Sequence, residues 1–217
     1  MTTITPRILL DAYRAGIFPM AESAEDNALY WVEPEERGHF PLADLHVSQS
    51  LRKLVRRRVF DIRVDTDFAG VIGACAEKRP ERRSTWINGR IRKLYGQLHD
   101  MGACHSVEAW HDGALAGGLY GVRIGGAFFG ESMFTRVTGA SKVALVHLVA
   151  RLNCGGFKML DAQFMNAHIA TLGARPIKKA AFMALLPAAL QAKADFYAFT
   201  GDDDPAEVLK WALPRER

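Results

Sequence analysis

The chain has 217 residues, 49% of them hydrophobic and 24% charged. That balance suits one medium domain, or one domain with a small appendage, and excludes a wholly disordered, collagen-like or coiled-coil chain. No apolar run approaches the roughly 20 residues that span a bilayer. The N-terminus lacks the pattern of a secretory signal peptide, and three scattered cysteines (Cys75, Cys104, Cys154) suit reduced thiols in the cytoplasm.

In chain order, Thr5-Pro6 followed by apolar periodicity up to Gly16 predicts a capped helix over 6–15. An irregular stretch follows, then a short strand over 29–32, and Pro34 to Gly38 breaks the pattern. These pieces define a small N-terminal subdomain, 1–36, too short to hold a core alone, with the main domain over 37–217. Ser48 caps a helix over 49–58, Phe60 to Val64 alternate as a half-buried strand, and Asp67 caps a helix over 68–76. Residues 77–85 read as a basic loop and 88–101 as a helix closed by Gly102.

Three strands follow, 104–111, 114–124 and 127–133, joined by Asp112-Gly113 and Gly125-Gly126 hairpin turns. Then come an apolar helix over 139–153, a buried strand over 157–161, a short helix capped by Asn166 and a last long helix over 178–193. Pro187 is expected to bend or split that last helix. An antiparallel meander, a crossover helix and a parallel strand is the element order of the acyl-CoA N-acetyltransferase (GNAT) fold. The expected fold class is therefore α+β, a GNAT-like mixed sheet with flanking helices plus the small N-terminal unit.

Charge is uneven. Residues 50–93 carry a net +8 and the remainder −4. The densest clusters are Arg52-Lys53 with Arg56-Arg57-Arg58, and Lys78-Arg79 with Arg82-Arg83, the second close to Trp86. Each alone reads as a solvated face; together, beside a tryptophan, they suit a phosphate backbone equally well.

Asp161 and Gln163 stand two apart at the end of a strand, which places them on one face; they suit either a reactive pair or a loop whose backbone they satisfy. Glu131 sits in the apolar run Phe128 to Phe134. A buried acid there either pairs with Arg136 or Lys142 or lines a cleft with a raised pKa. Leu119, Phe128, Leu145, Leu148, Leu152 and Leu160 form one apolar set, as core or as a side-chain pocket. Arg136 to Ser141 approximates a pyrophosphate-gripping loop, and equally a plain helix start. The seven histidines show no metal spacing, and there is no nucleophile elbow, P-loop or CxxC.

Together the stretches AYRAGIFPM, TWINGRI, LHDMGACHSVEAW, GGLYGV, FFGESMFTR and LDAQFMNAHIATLGA make a specific set. The chain resembles the bacterial leucyl/phenylalanyl-tRNA–protein transferases over about residues 8–180. The resemblance implies transfer of leucine or phenylalanine, methionine less well, from aminoacyl-tRNA to the α-amino group of proteins beginning with Arg or Lys, which marks them for degradation. It implies no cofactor and no metal, a cytoplasmic location, no membrane and a monomer. It assigns Asp161 and Gln163 as the catalytic pair and Glu131 as the acidic residue of the cleft. The six apolar residues become the pocket for the transferred side chain. Trp86 falls near the terminal adenosine of the tRNA, and Lys53, Arg56 and Arg57 on its acceptor stem. Met20 stands where the family usually has a stacking Trp, and a thioether also packs on a ring. Gln49 stands where the family's basic segment often begins, and the family's longer N-terminal extension is missing here. Arg82 and Arg83 are expected to compensate in holding the tRNA.

These residue types suit that chemistry. An aminoacyl ester is already activated, and an α-amino group with pKa about 7.7–8.0 is partly neutral at cytoplasmic pH. Gln163 cannot take a proton, but its carbonyl can hold the amine, with Asp161 polarising it. Two rivals remain on sequence: an acyl-CoA-dependent N-acetyltransferase, and a non-catalytic RNA-binding protein.

Overall fold

The computed structural model describes residues 4–26, 28–78 and 84–213. Its first elements are α1 (Pro6–Arg14), β1 (Phe18–Met20), β2 (Tyr30–Val32), β3 (Glu36–Phe40), α2 (Gln49–Arg56), β4 (Asp61–Val64), α3 (Phe68–Ala76) and α4 (Gly89–Asp100). There follow β5 (Cys104–His111), β6 (Ala114–Ile124), β7 (Ala127–Thr135), α5 (Ala140–Cys154), β8 (Met159–Gln163), α6 (Ala167–Ala170), β9 (Arg175–Lys178), α7 (Lys179–Gln191) and α8 (Pro205–Ala212). Caps act where the sequence places them. The side chains of Thr5, Ser48, Asp67 and Asn166 each accept a backbone N–H of the helix that follows, and Asn88, expected inside α4, does the same as its cap.

A seven-stranded mixed sheet runs in the order β4-β5-β6-β7-β8-β3-β9, and a separate ribbon pairs β1 with β2. All neighbours in the large sheet are antiparallel except β7 and β8. That parallel pair requires a crossover, and α5 supplies it. Two apolar cores flank the sheet. Residues of α2, α5 and α8 build one, and residues of α1, α3, α4 and α7 the other. Helix α5 is buried nearly all round, between the sheet and α8, so its apolar residues form no single stripe.

The structure adds four elements, the first of them β1, in the stretch after Gly16 that is expected to be irregular. The segment from Pro34 to Gly38, expected to break the pattern, enters β3 at Glu36, and β3 fills the sheet position beside β8. Strand β9 and helix α8 also lie where no element is expected. Helix α7 runs unbroken through Pro187. Both Pro187 and Met183, the residue whose carbonyl loses its helical partner, are exposed, so water can satisfy that carbonyl. Among the described residues, no helix is long and apolar enough to cross a membrane.

Candidate active site between the parallel strands

Strands β7 and β8 pair only at Ala127–Met159, Phe128–Leu160 and Phe129–Asp161. Beyond that point β7 stays with β6 as far as Thr135, while β8 turns toward β3. Two irregularities cause the parting. Opposite Tyr120 and Gly121, strand β7 carries Glu131 as an extra residue, a β-bulge. The bulge reverses the strand's phase: Phe128 before it and Met133 after it face the α5 core, whereas Phe129 and Phe134 face the other. Gly121 permits this, because a Cβ there would stand 2.3 Å from the Phe128 ring. Opposite Gly38 and His39, strand β8 carries Ala162 as its extra residue, and Gln163 takes a left-handed φ of 60°.

A cavity of about 240 Å³ opens where the strands part. Leu119, Leu145, Leu148 and Leu160 line it, with Phe40 and Ile169 beside them. Glu131, Ser132, Asp161 and Asn166 contribute its polar wall. The cleft thus joins a mostly apolar lining to a few polar side chains, the usual make-up of a small-ligand site.

The polar side chains form one network. Asp161 is fully buried and ion-paired with Arg37, whose Nη2 meets Oδ2 while Nε meets Oδ1 at 3.3 Å. Its Oδ1 also accepts the backbone N–H of Gln163 at 3.0 Å, which ties down the left-handed turn. Asp161 therefore holds the backbone of Gln163 and not its carboxamide, contrary to the expectation that it polarises that amide. The carboxamide instead donates Nε2–H to Glu131 Oε1 at 2.8 Å. The same Oε1 accepts from the Tyr13 hydroxyl at 2.6 Å, Oε2 accepts from the Tyr95 hydroxyl at 3.0 Å, and the two hydroxyls touch each other.

The two carboxyl groups consequently differ. Glu131 meets neither Arg136 nor Lys142; its partners are neutral donors, and Arg136 pairs with Glu77. Burial drives the Glu131 pKa up from 4.5 to about 7, against the pull of those three hydrogen bonds. Burial also raises Asp161, and the Arg37 guanidinium pulls it back. Burial raises the Tyr13 and Tyr95 hydroxyls well above the usual phenol range, so both stay protonated donors.

Other expected site residues lie elsewhere. Phe128 and Leu152 are not on the cavity wall but wholly buried in the core behind it. Trp86 and Met20 are half-buried against the opposite core, away from the wall. Lys53, Arg56 and Arg57 stand exposed on the outer face of α2, around an open concavity of about 800 Å³. Arg82 and Arg83 lie outside the described residues. In the approximated pyrophosphate loop, Leu54 packs on Gly139 so closely that a Cβ there would stand 2.5 Å from Leu54 Cδ1.

Sequence reasoning misses Arg37, Tyr13 and Tyr95. For Glu131 the one available signal is the missing partner of an acid within an apolar run; nothing local says that two tyrosines and a glutamine supply it.

A mixed sheet with a carboxyl–carboxamide network beside an apolar pocket makes a candidate active site. Comparison with known proteins makes this specific. The family model described as leucyl/phenylalanyl-tRNA protein transferase matches residues 39–187, and that of its N-terminal domain matches residues 2–35. Curated relatives carry the same name. The protein of Afipia carboxidovorans is 56% identical over 199 residues, covering 92% of this chain and 88% of the relative. That of Nitrobacter winogradskyi is 56% identical over 209 residues, covering 95% and 93%. That of Rhodopseudomonas palustris is 54% identical over 199 residues, covering 92% and 88%. The chain belongs to the leucyl/phenylalanyl-tRNA–protein transferase family and is an aminoacyltransferase.

Proposed function

We propose that the protein takes leucine or phenylalanine, and methionine less well, from aminoacyl-tRNA and joins it to the α-amino group of proteins beginning with Arg or Lys. The product is marked for degradation, and the enzyme works in the cytoplasm as a monomer without cofactor or metal. The names of the curated relatives support the aminoacyl-tRNA donor. The observation that carries the reading is the cleft between β7 and β8, lined by leucines and by Glu131, whose carboxyl accepts a hydrogen bond from the buried Gln163 carboxamide.

In this reading the side chain of the donor residue lies among Leu119, Leu145, Leu148 and Leu160. An apolar pocket discriminates by only about 1–3 kcal/mol per methylene, which suits relaxed choice among Leu, Phe and Met. The Gln163 side chain is fixed by its Nε2–H bond to Glu131, so its carbonyl is available to hold the incoming amine. The Asp161 charge is matched by Arg37, whereas Glu131 has only neutral partners and a pKa raised to about 7, so the role of proton acceptor falls to Glu131. The α-ammonium gives Glu131 a proton, the amine attacks the ester carbonyl, a C–N bond forms, and the C–O bond to the ribose breaks. The ribose oxygen leaves as a hydroxyl, taking the further proton that the attacking nitrogen sheds as the amide forms.

The exposed arginines and lysine of α2 fit the acceptor stem, and Trp86, Met20, Arg82 and Arg83 are assigned to the rest of the tRNA. The meander, crossover helix and parting parallel pair support a GNAT-like fold. Leu54 on Gly139 supports a fold that has given up its pyrophosphate loop. Residues 1–36 and 37–217 are taken as two units that build one site, because Tyr13 of the first meets Glu131 of the second.

The test is transfer of labelled leucine from Leu-tRNA to a peptide beginning with Arg. Label on the peptide, abolished by prior ribonuclease treatment, is the expected result. No label, or thiol release from acetyl-CoA instead, overturns the reading.

A further inference from the structure

Arg37 is 1% exposed, and its guanidinium meets both a cleft residue and the turn after α1. Its Nη2 and Nε hold the two oxygens of Asp161. Its Nη1 donates to the carbonyl of Gly16 at 3.0 Å, in the turn after α1. The guanidinium lies between two rings, 4.9 Å from the centroid of Phe18 and 4.3 Å from that of Phe182. Each hold leads to one wall. On the β8 wall, Asp161 grips the Gln163 backbone. On the other, Gly16 donates its N–H to the Tyr13 carbonyl at 3.0 Å, and the Tyr13 hydroxyl reaches Glu131.

We propose that Arg37 is a positioning residue that sets the Gln163 carboxamide against the Glu131 carboxyl, by clamping Asp161 and the turn after Tyr13 with one guanidinium. The role ascribed to these two side chains rests on the reading of the preceding section; the clamp itself rests on the contacts alone. A planar, five-donor fork pressed between two rings does this work, and a lysine ammonium cannot span both holds. The charged and titratable groups around Asp161 are Arg37 and His39 on β3 and Glu131 on β7.

The experiment uses the full chain with Arg37→Met, Arg37→Lys and the double variant Arg37→Met/Asp161→Asn. Two readouts are taken: steady-state leucine transfer, and the titration of the Asp161 carboxyl by carbon NMR. In Arg37→Met, kcat should fall about 100-fold, the size of effect expected for a misplaced reacting group. The KM for Leu-tRNA should stay within about twofold, since the α2 face is untouched. The Asp161 titration should move to higher pH, and Arg37→Lys should fall between. If Arg37→Met does not fold, the double variant, which buries no unpaired charge, should fold and still transfer slowly because the Gly16 hold is gone. Wild-type kcat in either folded variant, or an unmoved Asp161 titration, overturns the proposal. Absence of transfer by the unmodified protein would overturn the proposed function instead, and the carboxyl titration would still decide on the clamp.

Discussion

The two walls of the cleft solve the burial of a carboxyl group in opposite ways. On β8, Asp161 meets a guanidinium and a backbone N–H, so its charge is matched inside the protein. On β7, Glu131 meets two hydroxyls and an amide, which solvate a charge without cancelling it. The first arrangement makes a fixed structural ion pair. The second makes a group poised to gain or lose a proton near neutrality. The difference teaches that an acid's role in such a site is read from its partners, because residue type and burial are shared.

Breaking the ion pair should have the largest effect. Asp161→Ala leaves the Arg37 guanidinium buried and unmatched, and should cost about 3–5 kcal/mol in urea unfolding. Loss of under 1 kcal/mol would mean that the pair is not buried as described.

Glu131→Gln sharpens the contrast next. The folded pKa of Glu131 is raised from 4.5 to about 7, so its ionisation opposes folding. Its contribution is fully present below pH 4.5, falls as pH rises from 4.5 to about 7, and is flat above that. The span corresponds to at most about 3–4 kcal/mol. Stability curves measured across that window should therefore be flatter in Glu131→Gln than in the parent protein, and transfer should lose the limb near pH 7 while keeping the rise due to the α-amino group itself.

The smallest change is Tyr13→Phe, which deletes one neutral donor to Glu131. It should cost about 1 kcal/mol of stability. Because that hydrogen bond lowers the Glu131 pKa, its loss should move the limb of the pH–rate profile near neutrality to higher pH. A downward shift would contradict the assignment of Glu131.

Much of the frame is legible in the sequence because it is written locally. Asp112-Gly113 and Gly125-Gly126 announce two hairpins, and the structure pairs β5, β6 and β7 across them. Asp67 caps α3 over the expected residues 68–76. The site is legible in membership and not in geometry. Four of the six expected pocket residues line the cavity, while Phe128 and Leu152 share their apolarity but face the core. Asp161 and Gln163 are adjacent as alternation suggests, yet Ala162 bulges between them and Gln163 turns left-handed, so the carboxylate meets the backbone instead of the amide. Arg37 stays hidden because Glu36-Arg37-Gly38 carries no strand pattern. It becomes a strand only by pairing with β8, more than a hundred residues away in sequence, and with β9. A sequence periodicity cannot reveal a partner that topology supplies.

The central claim is that the donor amino acid lies in the cleft between β7 and β8. A crystal structure with a leucyl-adenosine amide, a stable mimic of the ester end of Leu-tRNA, tests it most directly. The account predicts the isobutyl group among Leu119, Leu145, Leu148 and Leu160, with the carbonyl carbon facing Gln163 and Glu131. Leucine bound elsewhere, with this cavity left unfilled, would contradict it.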